Sequence, residues 1–168
     1  MSFFKRLFSK QEEAPQVEDR TIFNLEMNDF VTYDLEDYQV VGKLSYNDHG
    51  FTWHAYQLQS TDKVIWLSVE MDDELILGVY EKIKLKLSEP IPKEITFEGT
   101  TYYLDEKGTA SVTGIGRGQN VNGATCKYFD FCDEEEESYL SVEIWGSEVE
   151  VSRGYDIDEY ELKFIASK

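Results

Sequence analysis

From residue 21 onward, apolar and polar positions alternate with a period of two, the signature of half-buried strands. Phe30-Val31-Thr32-Tyr33 and Tyr38-Gln39-Val40-Val41 flank the turn-prone Asp34-Leu35-Glu36-Asp37. Asn47-Asp48-His49-Gly50 reads as a turn, Phe51 to Leu58 as an aromatic-rich strand, and Val64 to Val69 as the next. Asp72-Asp73-Glu74 turns the chain into Leu75 to Tyr80. Ile83-Lys84-Leu85-Lys86-Leu87 alternates apolar with basic and predicts one more half-exposed strand. No segment of the body carries a clean 3.6-residue period. Pro90 and Pro92 interrupt the ladder pattern and mark the midpoint.

The pattern then repeats. Val31-Thr32-Tyr33-Asp34 is echoed by Ile95-Thr96-Phe97-Glu98, and Tyr38 and Val40 by Tyr102 and Leu104 at the same offset. Trp66-Leu67-Ser68-Val69-Glu70 is echoed by Tyr139-Leu140-Ser141-Val142-Glu143, with Tyr56 and Leu58 matching Phe129 and Phe131. The offset grows between these matches, so the second half carries a longer connection, expected as a flexible hairpin loop at Gly114-Ile115-Gly116-Arg117-Gly118. Such self-similarity implies a duplicated supersecondary unit. The expected fold is all-β: two tandem related antiparallel units, SH3-like or half-barrel, with pseudo-twofold symmetry, over residues 21–89 and 90–168. A single larger sandwich or barrel is the alternative. Strand alternation puts Leu67, Val69, Leu140 and Val142 in the core and the intervening Ser and Glu on the opposite face.

Residues 1–10 stand apart. On a helical wheel Phe3, Phe4, Leu7 and Phe8 share one arc, and Lys5, Arg6, Ser9 and Lys10 take the rest. This is the composition of an interfacial amphipathic helix. Phe3, Phe4, Lys5, Arg6, Leu7, Phe8 and Lys10 are therefore the expected contacts to a membrane surface or a partner, with packing on the protein's own β body as the alternative. Residues 11–20 form an acidic linker containing Pro15.

The formal net charge of −18 repels phosphate and excludes nucleic acid as a partner of the body. Cys126 and Cys132 lie six apart on one strand pattern, roughly 20 Å at about 3.3 Å per residue, so they are read as reduced thiols. The Gly114–Gly118 run lacks the spacing and following helix of a phosphate loop. Asp133-Glu134-Glu135-Glu136-Glu137 lacks the alternation and bend glycine of a calcium loop and reads as a hairpin tip. His49 and His54 have no metal-spaced companion and no oriented nucleophile. No catalytic, metal or cofactor residue is assigned. Trp53, Trp66 and Trp145 are expected in core and hairpin packing, a ligand platform being the other reading.

Trp53 with Tyr56-Gln57-Leu58, Trp66-Leu67-Ser68-Val69-Glu70, Gly99 with Tyr102-Tyr103-Leu104, Gly108-Thr109-Ala110, Leu140-Ser141-Val142-Glu143-Ile144-Trp145-Gly146 and Gly154 together resemble the uncharacterised bacterial family DUF4178, over roughly residues 28–165. The family has no established activity, and its members are commonly encoded near phage-shock-A-like proteins, small membrane proteins and polyamine-synthase-like enzymes. The resemblance implies a non-enzymatic accessory or interaction module in an envelope-stress system, with a phage-shock-A-like protein as partner. Its expected place is cytoplasmic, free or at the inner face of the cell membrane through residues 1–10. Two other classes stay open: a small-ligand-binding β-barrel with an aromatic pocket, and an acidic decoy for a nucleic-acid-binding protein. A cavity lined by Trp and Tyr with convergent polar groups would favour the ligand-binding barrel.

Overall fold

Val, Ile, Tyr and Phe fit a pleated, half-buried surface, and the stretches rich in them become strands. The computed structural model describes residues 19–168, so residues 1–10 with their expected amphipathic helix, and most of the 11–20 linker, lie outside the described part. The strands are β1 (Phe30–Tyr33), β2 (Glu36–Asp48), β3 (Phe51–Gln59), β4 (Val64–Met71), β5 (Leu75–Lys82), β6 (Glu94–Phe97), β7 (Thr100–Gly116), β8 (Thr125–Cys132), β9 (Tyr139–Trp145), β10 (Glu148–Ile157) and β11 (Lys163–Ile165). Two short 3-10 turns, Arg117–Val121 and Glu159–Glu161, are the helical elements among the described residues.

The all-β expectation holds, and the strands close on themselves. The sheet order is β11-β1-β2-β3-β4-β5-β10-β9-β8-β7-β6, and β2 also pairs with β7. That pairing seals β2-β3-β4-β5-β10-β9-β8-β7 into an eight-stranded antiparallel barrel, leaving β1, β11 and β6 outside the ring. Closure removes the free edges of the ring strands. Tight hairpins feed it: Asp34-Leu35, His49-Gly50 and Glu98-Gly99 all hold two successive residues at positive φ, the backbone that right-twisted two-residue hairpins require.

Two β-bulges decide which face is which. Against β3, Val40 pairs with Leu58 but Gly42 pairs with Gln57, so the register slips by one residue at Val41. Against β8, Leu104 pairs with Phe131 but Glu106 pairs with Asp130. A bulge re-aims every side chain beyond it. Tyr38 and Val40 therefore join one apolar cluster while Leu44 and Tyr46, at the same parity, point elsewhere. Tyr102 and Leu104 pack in a second cluster, whereas Glu106 faces the opposite side.

Two of the three apolar clusters thus lie on the outer faces of the barrel wall, and the third, Leu44, Tyr46, Ala110, Val112, Cys126 and Tyr128, lies on the inner face. Of the outer two, one gathers Tyr56, Leu58, Ile65, Leu67, Val69 and Leu77 under β1, β11 and the 22–27 segment. The other gathers Ile95, Tyr102, Phe131, Leu140, Val142 and Val151, with Ile83, Leu85, Leu87 and Ile91 laid over it. Leu67, Val69, Leu140 and Val142 are all buried, as their alternation predicts. Asp29 ties the ends of the described chain together: fully buried, it accepts the backbone N–H groups of Glu26 and Ser167 and lies 2.8 Å from Arg20 Nε.

Two local expectations need correction. Ile83–Leu87 alternates in burial as predicted but is no strand, because β5 ends at Lys82 and the segment runs on as an extended strap over the second core. The Gly114–Gly118 run is not a loose loop. Gly114 and Gly116 pair with Leu44 and Gly42 of β2 and form the seam that closes the barrel. A Cβ on Gly114 would fall 2.0 Å from the Gly118 carbonyl oxygen, so glycine is what lets the 3-10 turn fold back onto the seam.

Candidate ligand cavity

The side chains opposite the two outer cores point into the barrel. They enclose a cavity of about 380 Å³, within the usual range of small-molecule sites, roughly 300–1,000 Å³. Eight-stranded barrels are wide enough either to fill with side chains or to hold one small ligand. Here Leu44, Tyr46, Ala110, Val112, Cys126 and Tyr128 pack one part of the interior, and the rest is left open. The repeated Leu-Ser-Val-Glu stretches explain this: Leu and Val serve the outer cores, and Ser68, Glu70, Ser141 and Glu143 line the cavity.

One wall is aromatic. Tyr46 stacks on Trp53 with ring centroids 4.9 Å apart and planes 3° from parallel, and Tyr128 meets Trp53 edge-on at 5.2 Å. Trp145 tilts against Tyr46 at 6.4 Å. Trp66 and Tyr80, cross-strand partners, extend the lining. Tyr80 can lie against the wall because glycines face its ring: a Cβ on Gly154 would sit 2.3 Å from Tyr80 Cδ1, and one on Gly78 would sit 2.8 Å from Cε2. All three tryptophans pack against the buried Leu44, Tyr46, Ala110, Val112, Cys126 and Tyr128 cluster, as expected of core residues, and all three also line the cavity.

Acidic side chains lie beside the aromatic ones. Neighbouring strands set Glu106, Asp130, Ser141, Ser152 and Lys82 in one cross-strand row, and Tyr128, Glu143 and Glu150 in the next. Six carboxylates line the cavity against two cationic side chains, Lys82 and Arg117. Lys82 is paired with Glu150 at 2.6 Å, and Arg117 donates to Gln59 Oε1 at 2.9 Å. Glu143 accepts the Tyr46 hydroxyl at 2.7 Å. Exposed Phe51, Lys82, Glu106, Arg117 and Glu148 mark where the lining reaches solvent.

The electrostatics follow from this geometry. Burial pushes the Asp130 carboxyl up to about 7; the Ser141 hydroxyl opposes the shift, and the charges of Glu143, Glu106 and Glu70 add to it. Burial also raises Glu143, against the hydrogen bond from Tyr46, with Glu150 adding and Lys82 opposing. Glu70 is raised by burial and then by Glu106, Asp72 and Asp156. Buried carboxylates without a countercharge hold their protons more tightly.

The other residues considered from sequence lie elsewhere. His54 contacts the Ser45 hydroxyl at 2.9 Å, and His49 pairs with Asp48 in its turn. Cys126 is buried in an apolar cluster, which pushes its thiol well up, and Cys132 is half-buried; both are free. Asp133 caps the acidic hairpin tip by accepting the Glu137 and Ser138 N–H groups. Among the described residues, no group of three or more His, Cys, Asp or Glu converges as a metal site. Sequence reading missed the cavity lining as a set; the available signal was the Ser and Glu recurring on the face opposite the core.

These features define a closed antiparallel β-barrel with an aromatic and acidic interior cavity. The chain belongs to the DUF4178 family, a domain of unknown function, whose model matches residues 26–159. It is similar to uncharacterized proteins of Mycobacterium bovis and Mycobacterium tuberculosis, 28% identical over 133 residues covering 75% of this chain. The aligned region spans 64% of those relatives' length. No solved structure matches the chain.

Proposed function

We propose that the protein is a non-enzymatic small-ligand-binding β-barrel, with the ligand held inside the ring of eight strands. The observation that carries this reading is the cavity itself. An interior built for stability alone would be packed with aliphatic side chains near crystal density. This one is ligand-sized and lined by Trp, Tyr and convergent polar groups. A thermal-shift screen of a small-molecule collection tests it, run in parallel on Ser68→Phe, which fills the space. Hits that stabilise the native chain and fail on the filled variant support the reading. Hits of equal size on both, or none, count against it.

We also infer that the barrel arose by duplication of a five-stranded unit, β1–β5 and β6–β10. Both halves run as meanders in the same order, and both carry their bulge at the matching place, after Val40 and after Leu104. Tyr38 and Tyr102 pair with Val31 and Ile95 in the same register. An accessory role in an envelope-stress system, beside a phage-shock-A-like partner and an anionic membrane, is a separate proposal. It rests on the basic amphipathic composition of residues 1–10 and on the family resemblance.

A further inference from the structure

We propose that the cavity is a receptor for a small organic cation, an ammonium-bearing molecule whose charged head sits among Asp130, Glu70 and Glu143 and whose body lies on the Trp53–Tyr46–Tyr128 wall. The inference rests on the ligand-binding reading above and specifies its ligand class. Three observations converge on it.

The lining is unbalanced in charge. Six carboxylates face the space. Of the two cations, Lys82 is paired with Glu150, and the Arg117 guanidinium is turned to Gln59. Among the described residues, Asp130, Glu70 and Glu143 make no ion pair. Buried charge is costly unless it is paired, and a cationic ligand supplies the missing partner. The same charge pattern disfavours anions, because an added negative group would face those carboxylates at low dielectric.

The carboxylates do not gather as a metal would need. Asp130, Glu70 and Glu143 project from three different strands, β8, β4 and β9. No metal-type cluster forms among the described residues. Such spacing suits a larger, diffuse cation that can meet several carboxylates at its periphery. The aromatic wall supplies the third element. Trp and Tyr faces attract ammonium groups through their quadrupoles, and they cover the hydrocarbon body as well.

The test is a tryptophan-fluorescence titration of the full chain with three matched probes: phenethylammonium, phenethyl alcohol and phenylpropionate. It is repeated on Asp130→Asn, on Glu70→Gln, and on Glu134→Gln/Glu135→Gln, a control at the exposed hairpin tip. The proposal expects saturable binding of the ammonium at least tenfold tighter than the alcohol, and no binding of the carboxylate. It also expects a loss of tenfold or more in Asp130→Asn or Glu70→Gln, with the tip variant binding as the native chain does. Circular dichroism confirms that each variant is folded. Equal binding of alcohol and ammonium would overturn the cation assignment and leave the ligand-binding barrel standing. Ammonium binding lost in the tip variant would assign it to the acidic surface and overturn the proposal. If no probe saturates on the native chain while Ser68→Phe is folded and as stable, both the proposal and the reading beneath it fall.

Discussion

Replacing Asp130 by Asn isolates the energetic consequence of an acidic, uncompensated interior. The Asp130 carboxyl rises from 3.8 to about 7, mainly through burial. At about 1.36 kcal/mol per unit, that difference is worth about 4 kcal/mol. Contact with cavity water lowers the realised value to roughly 2–4 kcal/mol. The sign follows from linkage. A raised carboxyl favours the protonated fold, so its contribution is whole below pH 3.8 and is lost as pH climbs toward about 7. Asn carries no charge and can keep a hydrogen bond to Ser141, so it loses nothing over that window. Asp130→Asn should therefore match the native chain near pH 4 and exceed it increasingly up to pH 7, with a constant advantage above. For a chain of this size, that advantage is roughly 5–15 °C in Tm. Calorimetric or fluorescence melts at half-unit pH steps measure it. A Tm difference that does not change with pH, or a variant less stable than the native chain at pH 8, would refute the reasoning.

Other consequences are equally direct. Asp29→Ala leaves the Arg20 guanidinium and two backbone N–H groups without their acceptor, and urea denaturation should show a loss of about 3–5 kcal/mol. Leu140→Ala opens a void in the second outer core and should cost about 2–5 kcal/mol by the same assay. Gly114→Ala drives a Cβ into the Gly118 carbonyl; we expect a loss of roughly 1–3 kcal/mol and faster amide exchange along the β2–β7 seam than along β3–β4. If residues 1–10 form a membrane contact, co-sedimentation with anionic liposomes should fall at high salt and vanish when they are deleted; equal binding without them would rule it out.

The period-two pattern carried most of the architecture. Leu67, Val69, Leu140 and Val142 are buried because alternation alone separates two faces of a strand. Alternation does not say what covers the polar face, however. Ser68, Glu70, Ser141 and Glu143 read only as the face opposite the core until β2 meets β7 and closes the ring over them. That pairing joins residues about 70 apart, which no local signal encodes. The bulges at Val41 and Asp105 were equally hidden. Each inverts the parity of its strand midway, so Tyr38 and Tyr46 look equivalent in sequence and serve opposite faces. Ile83–Leu87 shows the converse: its alternation is real and its burial follows, but after the Ile83 N–H bonds the Val151 carbonyl it forms no ladder. The three tryptophans were visible as candidates, and only the stacking of Trp53 on Tyr46 across β2 and β3 turns them into a wall.

The central claim is that the barrel interior receives a small molecule, and the three tryptophan indoles report on it directly, because the chain has three and all line the cavity. Two-dimensional ¹H–¹⁵N NMR of the full chain, titrated with cationic, neutral and anionic aromatic fragments, follows their N–H resonances one by one. The account predicts saturable shifts at the indoles of Trp53, Trp66 and Trp145 with a bound fragment, while the backbone amides of the 134–137 hairpin tip stay in place. Shifts confined to the outer surface, with all three indoles unmoved by every fragment, would contradict it.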